Sequence, residues 1–161
     1  MVFLQIFLKY CEKHIHGAKF FLNLPKFEHT DKILEFAHTK FGEFYILSSP
    51  LAGDEHNTEK LKKQWCNNNL KIVAKEVIIT KDKTEYAKNN ILIDDFAPNL
   101  TKWVNSGGIA IKFKANSKNY TEEDLILTLE YLQKDIIKNG FNPREIYIHK
   151  DEHIKNYIRD L

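Results

Sequence analysis

The stretch VIITKDKTEYAKNNILIDDFAPNLTKWVNSGGIAIKF, residues 77–113, decides the fold. It holds three short apolar runs, at 77–80, 91–93 and 109–113, separated by polar connections. Continuous β-branched runs bounded by polar and glycine signals read as strands buried on both faces, the kind found in parallel sheets. Two of them lead into residues suited to chemistry. The first runs into Lys81-Asp82-Lys83 and the second into Asp94-Asp95. Ligands of open α/β sheets bind just beyond the carboxyl ends of the strands. A lysine and a carboxylate pair at neighbouring strand ends therefore point to a metal-assisted phosphate site.

Working outward, Pro98 opens a helix with Leu100, Trp103 and Val104 on its apolar face, and Gly107-Gly108 closes it. Thr121-Glu122-Glu123-Asp124 is a capping-box-like start, its acidic residues favoured by the helix dipole. Leu125, Leu129, Leu132 and Ile136 continue it as one stripe to Gly140, and a strand at 145–148 and a helix at 152–161 follow. Towards the N-terminus, a helix from Thr58 carries Leu61 and Trp65 and closes at 67–69, a run of asparagines. Residues 44–47 form a short buried strand that delivers Ser48-Ser49-Pro50 to a turn. Thr30 or Asp31 caps a helix whose apolar face uses Ile33, Leu34, Phe36 and Ala37 and which Gly42 ends. The loop KFFLNLP at 19–25 carries Phe20 and Phe21. Phe3, Ile6, Phe7, Tyr10 and Cys11 recur at helical spacing, so residues 1–14 read as an amphipathic helix, with a strand over 2–8 as the alternative. Strands alternating with helices predict a three-layer α/β fold around a parallel sheet.

The chain has 161 residues, 43% of them hydrophobic and 29% charged, which is the size and composition of one globular domain with a sizeable core. A formal net charge of +2 gives no electrostatic case for nucleic-acid or membrane binding. Cys11 and Cys66 form neither a metal-type spacing nor a disulfide framework, so a reducing cytoplasm is the expected home. No apolar run reaches the roughly 18–20 residues that span a bilayer, and the apolar start lacks the basic region and cleavage site of a signal peptide. His149-x-x-Glu152-His153 matches a zinc-protease pattern formally, but at a strand-to-helix junction that leaves little room for a further ligand. His14-x-His16 comes with no third ligand.

ILSSP (46–50), ITKDKT (79–84) and ILIDDFAPNLTKW with the following Gly107-Gly108 resemble the second, third and fourth motifs of the haloacid dehalogenase superfamily. More narrowly, they resemble its 5′(3′)-deoxyribonucleotidase branch, which also carries a phenylalanine pair like Phe20-Phe21 before the second-motif helix. The resemblance covers residues 20–113. It implies a Mg²⁺-dependent phosphatase of deoxynucleoside monophosphates that works through an aspartyl-phosphate. On that pattern Ser48 and Ser49 would hold the phosphoryl group. Lys83 would neutralise its developing charge, and Asp94 and Asp95 would bind Mg²⁺. Phe20 and Phe21 would wall the base or sugar, or pack between cap and core.

The first motif of that family, D-x-D, supplies the nucleophile and the acid/base, and it occurs nowhere in this chain; Asp31 is the only aspartate before Ser48. Read against the family, residues 1–30 are a partial helical cap, 31–115 the core and 116–161 a C-terminal extension. The first strand would then be missing, leaving a gap between 44–47 and 91–93 or a substitute for which residues 2–8 are the best internal choice. On this reading the protein is N-terminally truncated and incomplete as a phosphatase. Either a second polypeptide or a second copy supplies the strand, or the chain is a catalytically inactive relic or interaction module.

Overall fold

The computed structural model describes residues 1–4, 20–115 and 117–160. Six strands form one sheet: β1 (Val2–Leu4), β2 (Phe44–Ser48), β3 (Glu76–Ile79), β4 (Ile91–Asp94), β5 (Ile109–Lys112) and β6 (Arg144–Tyr147). Among the described residues there are five α-helices: α1 (Thr30–Phe41), α2 (Glu55–Asn69), α3 (Ala97–Asn105) and α4 (Glu122–Asn139) lie between strands, and α5 (Glu152–Arg159) follows β6. Every strand pairing is parallel, in the order β3-β2-β1-β4-β5-β6. The fold is the three-layer α/β type that the alternating pattern predicts.

The sequence period explains the layers. Ile91 and Ile93 belong to one buried cluster with Phe44, Ile46, Ile109 and Ile111, packed against Leu34 of α1 and Leu125, Leu129 and Leu132 of α4. Leu92 belongs to the other cluster, with Phe3, Leu47 and Ala110 against Leu100 and Trp103 of α3. Successive residues of a strand point to opposite faces, so a sheet covered on both sides needs the unbroken apolar runs seen in the sequence. The stripe of α4 is thus core packing.

Two readings of the N-terminus change. Val2–Leu4 is a strand, where helical spacing favours a helix over 1–14 with a strand over 2–8 as the alternative, and it lies in the central sheet and not in a cap. Leu4 pairs with Ile46 on one side and with Ile93 on the other. Val2 and Phe3 are buried, and Ile91 N–H donates to the Met1 carbonyl at 2.9 Å. The physical reason is the backbone: β2 and β4 would each bury an unpaired edge, and three residues of matching strand satisfy both. The position between β2 and β4 is therefore filled from within residues 2–8, the internal choice that the sequence offers. The expected helix beyond it and His14-x-His16 lie outside the described residues.

Trp103 shows how locally the far end of this core is fitted. Its indole N–H donates to the Asn90 carbonyl, and it lies so close to Gly108 that a Cβ there would stand 2.1 Å from Nε1 and 2.7 Å from the Ala87 carbonyl oxygen. The Trp…Gly-Gly spacing is a packing requirement.

Among the described residues, no helix is long and apolar enough to cross a membrane.

Candidate functional site

From β1 the sheet order runs one way through β2 and β3 and the other way through β4, β5 and β6. The carboxyl end of β1 is therefore the switch point, where open α/β sheets form their ligand crevice. The flanking strands end there on Ser48 and Asp94. Thr80 N–H donates to the Ser48 carbonyl at 2.9 Å, so the loop after β3 starts beside Ser48. Within that loop Asp82 Oδ1 accepts from both the N–H and the hydroxyl of Thr84, at 2.9 and 2.7 Å, and Thr80 Oγ1 donates to the Asp82 carbonyl. This Asx-type turn is what the K-D-K-T spelling encodes, and it directs Lys83 inward.

Lys83 and Asp94 form a buried ion pair. Nζ donates to Asp94 Oδ2 at 2.9 Å, with 4% of the lysine and none of the aspartate side chain exposed. Asn99 Nδ2 donates to the same oxygen at 2.8 Å, and Phe96 N–H donates to Oδ1 at 2.9 Å. Asp94 thus joins the Lys83 loop to the first turn of α3. Burial pulls the Lys83 ammonium below the ordinary lysine range, and the charge of Asp94 opposes that. Asp95 is half-buried next to it and acts on Lys83 in the same sense.

Ser48 is 5% exposed, and its partner is a residue that the sequence did not single out. Lys62 of α2 donates to Ser48 Oγ at 3.0 Å and to the Ser49 carbonyl at 2.7 Å. Lys62 is 9% exposed, and its Nζ stands 5.1 Å from the centre of the Phe21 ring. Ile46, Trp65, Cys66, Val77 and Ile79 line a narrow recess together with Ser48 and Lys62. Burial, followed by repulsion from Lys83, lowers the Lys62 ammonium to about 8. Phe21 packs against Leu61, and Phe20 meets it edge-on at 5.4 Å, so Phe21 flanks Lys62 with Phe20 behind it. The Cys66 thiol is pushed up to about 11 by burial, which makes it a poor nucleophile.

Of the residues expected at the site, Ser48, Ser49 and Phe21 gather around Lys62, Phe20 packs on Phe21, and Lys83, Asp94 and Asp95 form the second group. The His149-x-x-Glu152-His153 pattern does not form a metal site: α5 begins only at Glu152, and the His149 ring stacks on Tyr120 at 5.9 Å.

The donor set also bears on Mg²⁺. This ion takes oxygen ligands in near-ideal octahedral geometry. Three of the roughly four acceptor positions of Asp94 are occupied by Lys83, Asn99 and Phe96. No three His, Cys, Asp or Glu side chains converge on a metal position among the described residues. Two buried ammonium groups share the crevice and repel each other. The described residues do not fit a Mg²⁺ site.

No protein-family model, curated protein or solved structure matches the chain.

Proposed function

We propose that the protein binds phosphomonoesters at the carboxyl end of β1, in the manner of the phosphate-holding half of a nucleotidase-like haloacid dehalogenase site. The observation that carries this reading is Lys62: a buried ammonium set on Ser48 and Ser49 at the switch point, with no carboxylate partner among the described residues. A serine hydroxyl that accepts from Lys62 keeps its own proton to donate. Ser48 O–H, the Lys62 ammonium and the Lys83 ammonium are donors of the kind a phosphate dianion takes. The ester group would lie towards Phe20 and Phe21, and a nucleoside is the class of group that such rings favour.

Hydrolysis through an aspartyl-phosphate needs a carboxylate after β1, and the residues that follow Leu4 are Gln5, Ile6 and Phe7. Binding without turnover by the isolated chain is the function that this composition supports. A phosphatase in which a second polypeptide presents an aspartate to this crevice, outside the sheet position that β1 fills, is the other form of the same proposal.

The test is release of inorganic phosphate from dUMP, with and without Mg²⁺, alongside calorimetric binding of dUMP. Saturable binding with no release is the expected result. Turnover lost on Lys83→Ala would show an active enzyme and sink the binding-only form. Absence of binding would sink the reading as a whole.

A further inference from the structure

Lys62 differs from the other buried charged side chains in what surrounds it. Both oxygens that it contacts, Ser48 Oγ and the Ser49 carbonyl, are neutral, and the nearby charge of Lys83 repels it. An ammonium has three N–H donors. Two are used, and the third has no acceptor among the described residues. An unpaired buried charge is costly, and the group that relieves it carries the opposite sign. A divalent cation does the reverse: it adds positive charge next to an ammonium already short of a counter-ion.

We propose that Lys62 is the second cation of the phosphate site and does the work of a metal there, so that phosphomonoester dianions bind without any divalent ion. The inference rests on the phosphate-site reading above and adds how the charge is neutralised. Lys83 contributes from the β4 side, already oriented by Asp94 and Asn99. Lys62 contributes from the β2 side, held by Ser48 and Ser49, with the Phe21 ring closing one flank. Because the ammonium is positioned before a ligand arrives, binding costs little side-chain ordering. The ligand class is a phosphate monoester or free inorganic phosphate, both of which present a dianionic group of suitable size.

The experiment is calorimetric titration of the full chain at pH 7 with inorganic phosphate and with dUMP, each in EDTA and in excess Mg²⁺. The expected result is saturable binding in EDTA, changed less than about threefold by Mg²⁺, and weakened about tenfold or more by Lys62→Met. Lys62→Arg keeps the charge and should retain part of the affinity. Methionine matches the lysine stem and leaves no buried charge, so the variant is expected to fold, and circular dichroism checks this. Tighter binding of dUMP than of phosphate identifies the ester as ligand; equal affinity identifies the free ion. Binding that appears only with Mg²⁺, or that Lys62→Met leaves unchanged, overturns the inference and spares the phosphate site. No binding under either condition overturns the phosphate site itself.

Discussion

The two strand ends that flank β1 handle a buried lysine in opposite ways. At the β4 end Lys83 meets a carboxylate that two further donors hold in place, so the charge is closed within the protein. At the β2 end Lys62 meets, among the described residues, only a hydroxyl and a carbonyl oxygen. Both lysines are almost fully buried, so the difference lies in their partners and not in exposure. A closed network fixes geometry; an open one waits for a ligand. On the proposed reading, the β4 end is the part of the crevice that folding builds, and the β2 end is the part that an anion would complete.

Breaking the closed end should produce the largest effect. Asp94→Ala takes the Asp94 carboxylate away from the buried Lys83 and strips the first turn of α3 of its acceptor for Phe96 N–H. Removing one member of a buried pair costs about 3–5 kcal/mol, and urea unfolding should show a loss of that order. A loss below about 1 kcal/mol would mean that the pair is not the closed structural unit described here.

The open end should respond with the opposite sign. The Lys62 ammonium titrates at about 8 in the folded chain against an ordinary 10.5, so between those values the unfolded chain binds more protons than the folded one. Stability contributed by this group must therefore rise with pH from about 8 to 10.5, and below 8 the full cost of burying the charge is present. That cost is on the order of 3 kcal/mol. Lys62→Met should raise stability at pH 7 by up to about that amount and flatten the alkaline rise relative to the parent chain. Saturating phosphate should raise the Lys62 pKa and flatten the parent's own rise. A variant less stable than the parent at pH 7 would contradict an unpaired charge at this position.

How far these two ends were legible in the sequence follows from the same contrast. The runs that became β2, β4 and β5 announced themselves because strands covered on both faces must be apolar throughout. Lys83, Asp94 and Asp95 were legible because they follow such runs directly. β1 was legible only as the alternative to a helix and as a substitute strand over 2–8, since three residues carry too little pattern against a helical spacing that continues beyond them, and its place is set by two partner strands far along the chain. Lys62 was hidden in the run Lys60-Leu61-Lys62-Lys63, which reads as a solvated face. The signal was there in its position: Thr58, Leu61, Lys62 and Trp65 stand at the i, i+3, i+4, i+7 spacing of one buried stripe. A lysine on the apolar side of a helix is the observation that could have found it.

Within the closed end, the contribution of orientation separates from that of charge. Asn99→Ala removes one of the two donors on Asp94 Oδ2 and leaves the Lys83 pair intact. A hydrogen bond to a charged group contributes roughly 1.5–3 kcal/mol, so thermal or urea unfolding should show a loss near the lower bound while Lys83 remains held. A loss as large as that of Asp94→Ala would mean that the amide, and not the ion pair, carries the network.

The smallest change sharpens the comparison most. Ser48→Ala deletes the side-chain acceptor of Lys62 and leaves the Ser49 carbonyl as its one oxygen partner among the described residues. Two ammonium donors are then left without acceptors, which makes the open end more dependent on a ligand. The stability loss should be about 1 kcal/mol in buffer, the ordinary net value of one hydrogen bond. Saturating phosphate should recover part of it, because the anion accepts from the same ammonium. In Asp94→Ala the same anion can accept from Lys83, so recovery should be confined to the lysine and leave most of the larger loss, which includes the Asn99 and Phe96 contacts, unrestored. Equal recovery in both variants would erase the distinction between an end closed by folding and an end closed by an anion.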